Sequence, residues 1–236
     1  MSQSLIIAID GPSGAGKSTL GRMLARELDL LYIDTGSMYR AVALAVMEAG
    51  IDPSNDVAVG ELAHNLEIDL AGDPDSLQIS LAGRDVTDAI RNDVVTRLSS
   101  IISTIPAVRR ALVARQRELG KRGAILNGRD IGTVVFPDAD VKFFLTAVPA
   151  ERAKRRFEEL NDPSTTLEAT LADITERDRR DSTREDSPLA IAEDAIVIDS
   201  SGQSIDQVFA EMLHIVENSH RIPSHLSDSA PTTSDL

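Results

Sequence analysis

The chain opens with an unbroken apolar run, Leu5-Ile6-Ile7-Ala8-Ile9. A strand with one wet face alternates apolar and polar residues, so a run without alternation predicts a strand buried on both faces, as in a parallel sheet. A glycine-rich turn follows. Beyond it Leu20, Leu24 and Leu28 recur at helical spacing, which predicts a helix over residues 18–28. Residues 30–33 read as a second strand, and residues 39–49 as a second helix that stops at Gly50. Strand, helix, strand, helix is the order of a parallel sheet covered on both sides.

The pattern changes between residues 51 and 92. Leu66-Glu67-Ile68-Asp69-Leu70 and Leu77-Gln78-Ile79-Ser80-Leu81 each alternate, with Gly72-Asp73-Pro74-Asp75 between them. This predicts an antiparallel hairpin with one wet face, within a small inserted subdomain over 51–92. The α/β order then resumes: a helix over 107–119, strands at 124–126 and 141–145, helices starting at 150 and 166, a last strand at 195–198 and a final helix over 205–216. Thr165 and Glu168 have the spacing of a capping box for the helix near 166. Residues 218–236 lack apolar periodicity and read as a disordered tail. The predicted core is therefore residues 1–50 and 93–217, without internal repeats.

With 236 residues, one such domain can bury roughly 70% of the surface its unfolded chain exposes. The absence of cysteine excludes disulfides, thiolate zinc sites and a cysteine nucleophile. A net charge of −14 with no tryptophan and only two tyrosines argues against binding nucleic acid, which needs clustered positive charge and stacking platforms. The basic residues are uneven, most lying between Arg97 and Arg184. That distribution suits either a small anionic ligand in a cleft or a solvated basic face. Without a basic leader or a long apolar segment, no membrane association is expected and a cytoplasmic location is.

Gly11-Pro12-Ser13-Gly14-Ala15-Gly16-Lys17-Ser18 fits the phosphate-binding pattern of two glycines with four residues between them, followed by Lys and Ser. Four residues between the glycines let the backbone wrap a phosphate with its N–H groups inward, and the following helix aims its positive end at the same anion. In that chemistry Lys17 bridges the β- and γ-phosphates of ATP, the Ser18 hydroxyl ligates Mg²⁺, and Thr19 completes the loop. The expected fold is a P-loop parallel sheet flanked by helices, with an antiparallel insert and a helical lid at about 150–184.

On the helix from 166, Leu167, Leu171 and Ile174 form an apolar stripe that continues as Arg177, Asp181 and Arg184. Charge on a buried face needs partners, which an oxygen-rich ligand supplies. Arg152, Lys154, Arg155 and Arg156 on the preceding helix add to it, or else form a salt-laced exposed surface with nearby glutamates. Two further loops, Asp34-Thr35-Gly36-Ser37-Met38-Tyr39-Arg40 and Asn127-Gly128-Arg129-Asp130, follow strands and open at the carboxyl edge beside the cradle. Arg40 and Arg129 could hold an acceptor phosphate there; Asp34 serves equally well as a helix N-cap.

These motifs, with Gly128-Arg129-Asp130-Ile131-Gly132-Thr133-Val134-Val135-Phe136-Pro137 and Glu176-Arg177-Asp178-x-x-Asp181-x-x-Arg184, resemble the bacterial-type cytidylate kinases of the nucleoside monophosphate kinase group. The resemblance runs from about residue 5 to 216, and the insert is similar to the family's enlarged acceptor-binding subdomain. It implies transfer of the γ-phosphoryl of ATP to CMP and dCMP; separately, a monomer is expected. By the same resemblance Thr35, Arg40 and Arg129 face the acceptor phosphate, and Ser100, Arg109 and Asp130 read the base. Arg177, Asp181 and Arg184 contact ribose and phosphates, and Lys17, Arg129, Arg156 and Arg184 carry the transfer. Cytosine offers acceptors at N3 and O2 and an amino donor at N4, which suit an arginine fork and a carboxylate; uracil reverses that pattern. Other acceptors, UMP, dTMP or shikimate, and an ATP-dependent switch without an acceptor remain as alternatives.

Overall fold

The unbroken apolar runs form the strands of one parallel sheet. The computed structural model describes residues 5–160, 162–163 and 165–219. In chain order the elements are β1 (Ile6–Asp10), α1 (Lys17–Glu27), β2 (Leu31–Asp34), α2 (Thr35–Glu48), α3 (Asp56–Asn65), β3 (Ile68–Ala71), β4 (Gln78–Leu81) and β5 (Arg84–Asp85). Then come α4 (Asp93–Ile102), α5 (Pro106–Gly120), β6 (Ala124–Asn127), β7 (Val141–Thr146), α6 (Pro149–Leu160), α7 (Leu167–Thr183), β8 (Ile196–Asp199) and α8 (Ile205–Glu217). A single π turn, Ile131–Val135, lies between β6 and β7. The main sheet has the order β2-β6-β1-β7-β8, and β3-β4-β5 form a second, separate sheet.

Alternate residues of the buried strands feed two cores. Ile7 and Ile9 of β1 turn to the side covered by α1 and α8, among Leu20, Leu24, Val208 and Met212. Ala8 and Leu126 turn to the other side, among Met38, Val42, Leu98 and Leu112 from α2, α4 and α5. Each large aliphatic side chain buried this way contributes about 1.5–3 kcal/mol. In the small sheet the predicted hairpin has the register Ile68↔Leu81 and Leu70↔Ile79. Ile68, Ile79 and Leu81 join the second core while Asp69 faces water.

Register decides where the loops meet. Asp34 of β2 and Ile9 of β1 both lie level with Asn127 of β6. The segments following all three strands therefore leave the sheet at one carboxyl edge, where open α/β sheets bind ligands.

Several elements depart from expectation. Helix α2 begins at Thr35 rather than 39, because Asp34 at its N-cap position is already extended while the next residues are helical. Helix α3 was not predicted; Asn55 caps it, its Oδ1 accepting the Ala58 N–H at 3.1 Å. Helix α4 was also unforeseen. Asn92 Oδ1 accepts the Val95 N–H at 2.9 Å, and Val95, Leu98 and Ile102 are buried at helical spacing. On α7 the capping residue is Thr166, whose hydroxyl accepts from the Ala169 N–H at 3.1 Å, and not Thr165. One residue of offset turns Leu167 outward at 41% exposure, so the buried face starts at Thr170. The expected tail lies mainly at 220–236, outside the described residues. Among the described residues no helix is long and apolar enough to cross a membrane.

Candidate active site

The cradle between β1 and α1 is built from backbone. Gly11 has φ 141° and Gly14 φ 75°, in the region L side chains rarely adopt. A Cβ on Gly11 would meet the Leu145 carbonyl oxygen at 2.0 Å, and one on Gly14 the Arg152 carbonyl oxygen at 2.7 Å. Pro12, Ala15 and Lys17 are buried, Ser13, Gly16 and Ser18 half-buried, and Thr19 exposed on the outer side of α1. The Lys17 ammonium turns back to donate to the Pro12 carbonyl at 2.6 Å. Burial, then Arg129 and Arg177, hold its pKa well below the usual lysine value.

That electrostatic coupling locates the arginines. Arg177 of α7 is pushed down to about 10 by burial and by Arg129, against the pull of Asp181, with Arg40 and Arg156 adding to the depression. Lys17 thus lies within electrostatic reach of Arg129 and Arg177, and Arg177 within reach of Arg129, Arg40 and Arg156. Repulsion among partly buried cations is unfavourable unless an anion enters. Asp181 takes part of the charge: it accepts from Arg129 Nε at 2.8 Å and lies 4.0 Å from both Arg177 Nε and Arg184 Nη1. Burial raises its pKa, but Arg129 and Arg177 outweigh that and hold it low.

Beside this space a chain of short contacts links the three strand ends. The Thr35 hydroxyl donates to the Asn127 carbonyl at 2.7 Å, and the Asn127 amide donates to the Ser18 hydroxyl at 3.0 Å. Arg40 donates to Asp34 at 3.1 Å and to the Ser37 hydroxyl at 2.6 Å. Asp34 stands at the N-cap position of α2 without a side-chain capping bond, so its carboxylate serves Arg40 and Ser37 instead.

Deeper, Arg109 of α5 is 2% exposed, paired with Asp130, and lies 5.9 Å from the Tyr39 ring centroid. Burial pushes the Tyr39 hydroxyl up to about 12 despite Arg109. Asp130 also faces Arg184 at 3.8 Å, and Arg184 Nε donates to the Ser187 carbonyl at 2.7 Å. Ser100 of α4 accepts from Arg180 of α7 at 2.6 Å. Arg109 Nε, Arg177 Nε, Arg184 Nη2, Asn127 Oδ1 and Asp178 Oδ1 are buried without a hydrogen-bond partner. An unmet buried polar atom costs about 1–3 kcal/mol, which is the kind of cost a bound ligand offsets; Tyr32 Oη, Gln116 Nε2 and Thr133 Oγ1 are unmet as well.

The cluster expected at the start of α6 divides. Arg152 is buried, donating to Ala147 O at 2.9 Å, to Ser13 O of the cradle at 3.0 Å and to Asp178 of α7 at 2.6 Å. Arg156 pairs with Glu159 at 3.0 Å and adds, as the smallest contribution, to the depression of Arg177. Lys154 is exposed beside Glu158, and Arg155 binds Ser200. Sequence reasoning assigned no role to Asn127, Arg180 or Asp10. Arg180 lies three residues after Arg177, a spacing that would have placed it near the same face.

The cytidylate kinase family model matches residues 7–218. A cytidylate kinase of Geobacter sulfurreducens is 48% identical over 222 residues, covering 93% of this chain and 95% of the relative. One from Citrifermentans bemidjiense is 50% identical over 211 residues, covering 88% and 91%. Among solved structures, an uncharacterized protein from Eubacterium ventriosum superposes with a TM-score of 0.52 at 11% identity, covering 91% of this chain and 99% of the other, a likeness of fold alone. On a match of this extent, the chain belongs to the cytidylate kinase family.

Proposed function

We propose that the glycine cradle and the arginine group are the donor and acceptor pockets of one phosphoryl transfer. The chain is an ATP-dependent kinase of cytidine monophosphate. ATP lies with its β- and γ-phosphates in the cradle, held by backbone N–H groups, the positive end of α1 and Lys17. Arg40 and Arg129 hold the acceptor's phosphate, joined by Thr35 once its single hydroxyl hydrogen turns from the Asn127 carbonyl to a phosphate oxygen. An oxygen of that phosphate attacks the γ-phosphorus as the bond to the β-phosphate oxygen breaks, leaving ADP and CDP. The attacking oxygen is already anionic, so no general base is required.

Charge builds on the equatorial oxygens in the transition state, and Lys17, Arg129, Arg156, Arg177 and Arg184 stabilise it. Cytosine sits against Arg109, Asp130 and Ser100; Arg180 occupies one lone pair of the Ser100 hydroxyl and leaves another for the base's amine. Asp181 orients Arg129 and contacts the ribose. We read α6 and α7 as the lid, anchored on the cradle through Arg152, and the three-stranded sheet as the acceptor-side subdomain.

Magnesium fits the oxygen donors present: the Ser18 hydroxyl and the unpartnered Asn127 Oδ1 are hard ligands of the kind it takes, completed by phosphate oxygens and water. When bound, it would neutralise charge on the nucleotide's phosphates.

What supports this reading is the ionic group beside the cradle: Asp181 accepts from Arg129 Nε at 2.8 Å and lies 4.0 Å from Arg177 Nε and Arg184 Nη1, while Arg129 and Arg177 depress the pKa of Lys17. An acceptor panel scored by ADP release tests it. CMP and dCMP are expected to be turned over, and UMP far more slowly, because it mispairs with both Arg109 and Asp130. Equal rates with UMP, or ADP release that ignores the acceptor, would refute it.

A further inference from the structure

Asp10 ends β1 and immediately precedes the cradle. Its side chain is only 4% exposed. One carboxylate oxygen accepts the Ile131 N–H at 2.9 Å and the other the Gly132 N–H at 2.7 Å. These N–H groups open the π turn that directly follows Arg129 and Asp130. The first N–H groups of any helical turn lack partners inside it and need a cap.

The residue at the capping position is Asp130, yet its side chain makes no capping bond. It is turned to Arg109 and Arg184 instead. Asp10 supplies the cap from a different strand, which leaves the Asp130 carboxylate free to face a ligand. π turns are rare and concentrate at functional sites, and this one is held from outside.

We propose that Asp10 is a positioning residue for phosphoryl transfer, its carboxylate pinning the Arg129–Asp130 segment to the strand that carries the cradle and so setting the separation of the two anion pockets. It touches neither nucleotide. The proposal rests on the reading of Arg129 as the acceptor-phosphate ligand.

The charged form is required. A carboxylate presents an acceptor to each N–H, whereas a protonated acid or an amide presents one acceptor and turns a donor against the other N–H. The groups facing Asp10 are Asp130 from the turn, Lys17 from α1 and Lys142 from β7, whose stem packs on Gly132 while its ammonium is taken by Pro137 O and Asp194. Burial pushes the carboxyl up to about 6, against the two N–H bonds that lower it. The pin therefore loosens as pH falls through that value.

Two measurements test this. Asp10→Asn is expected to lower kcat/KM for CMP by about 10- to 100-fold, with ATP affinity, measured by calorimetry, within threefold of wild type. Independently, log(kcat/KM) for CMP in the wild type is expected to fall with a slope of two below pH ~6, one proton on the acceptor's phosphate and one on Asp10. In Asp10→Asn the slope should be one. An Asp10→Asn enzyme within twofold of wild type overturns the proposal, as does an equal loss of ATP affinity, which would mean the cradle itself had collapsed. Should the variant not fold, a wild-type slope of one overturns it and a slope of two upholds it. A wild type inert toward CMP would instead defeat the reading of the pockets.

Discussion

At the scale of single residues, charge placement rather than any nucleophile or base distinguishes this site. Lys17 is the clearest case. Burial, Arg129 and Arg177 all favour its neutral form, yet its role needs the ammonium. Activity should fall on the alkaline side as Lys17 loses its proton. Bound phosphate favours the charged form, so this limb should lie at lower pH in kcat/KM for ATP than in kcat. Coincident limbs would contradict that assignment. Lys17→Ala should cost at least about 100- to 1000-fold in kcat while the melting transition stays cooperative. If Arg129 holds the acceptor phosphate as proposed, Arg129→Ala removes that ligand along with a partner of Asp181, so KM for CMP should rise by about 10- to 100-fold. The KM for ATP should change much less, which a two-substrate kinetic matrix would show.

At the scale of elements, what the sequence revealed and what it hid have physical causes. The cradle was legible because strand, loop and helix occupy consecutive residues, although the close approaches that demand Gly11 and Gly14 come from Leu145 and Arg152, far along the chain. The hairpin was readable because its alternation has period two. Helix α4 is encoded by Asn92 and the spacing of Val95, Leu98 and Ile102, yet at ten residues it is short, and the polar and β-branched residues around that stripe mask its period. With it went the support of Ser100. The ionic half of the α7 stripe was legible, but its apolar start was displaced by one residue of cap. The contacts of Asp10 were illegible, since its partners lie 121 and 122 residues away and no periodicity reports them. Asn92→Ala should destabilise the fold by about 1 kcal/mol and raise KM for CMP but not for ATP, measured by thermal melts and initial rates. An equal effect on both substrates would argue that α4 does not serve the acceptor side.

At the scale of the whole molecule, the parallel sheet brings the ends of β1, β2 and β6 to one edge, and the helices carry arginines over it. Acidity should act on this assembly in a defined direction. Asp10 has a folded pKa of about 6 against an ordinary 3.8, so the fold binds its proton more tightly than the unfolded chain does. Stability from this group therefore rises as pH falls through about 6 and is complete near 3.8. Asp34 and Asp181 are shifted the other way, and their contribution is lost only at more acid pH. Thermal melts should thus show the wild type gaining stability between pH 7.5 and 5 relative to Asp10→Asn; parallel curves would contradict it.

The proposed donor and acceptor pockets, if they face each other, can also be spanned by a single molecule. Cytidine and adenosine joined through five phosphates would fill the cradle and the arginine group together, making the second binding event intramolecular. Calorimetry should find it bound at least about 100-fold more tightly than either CMP or ATP alone, with the advantage lost in Arg129→Ala. Binding no tighter than ATP, or insensitive to Arg129, would mean that the two pockets do not face each other.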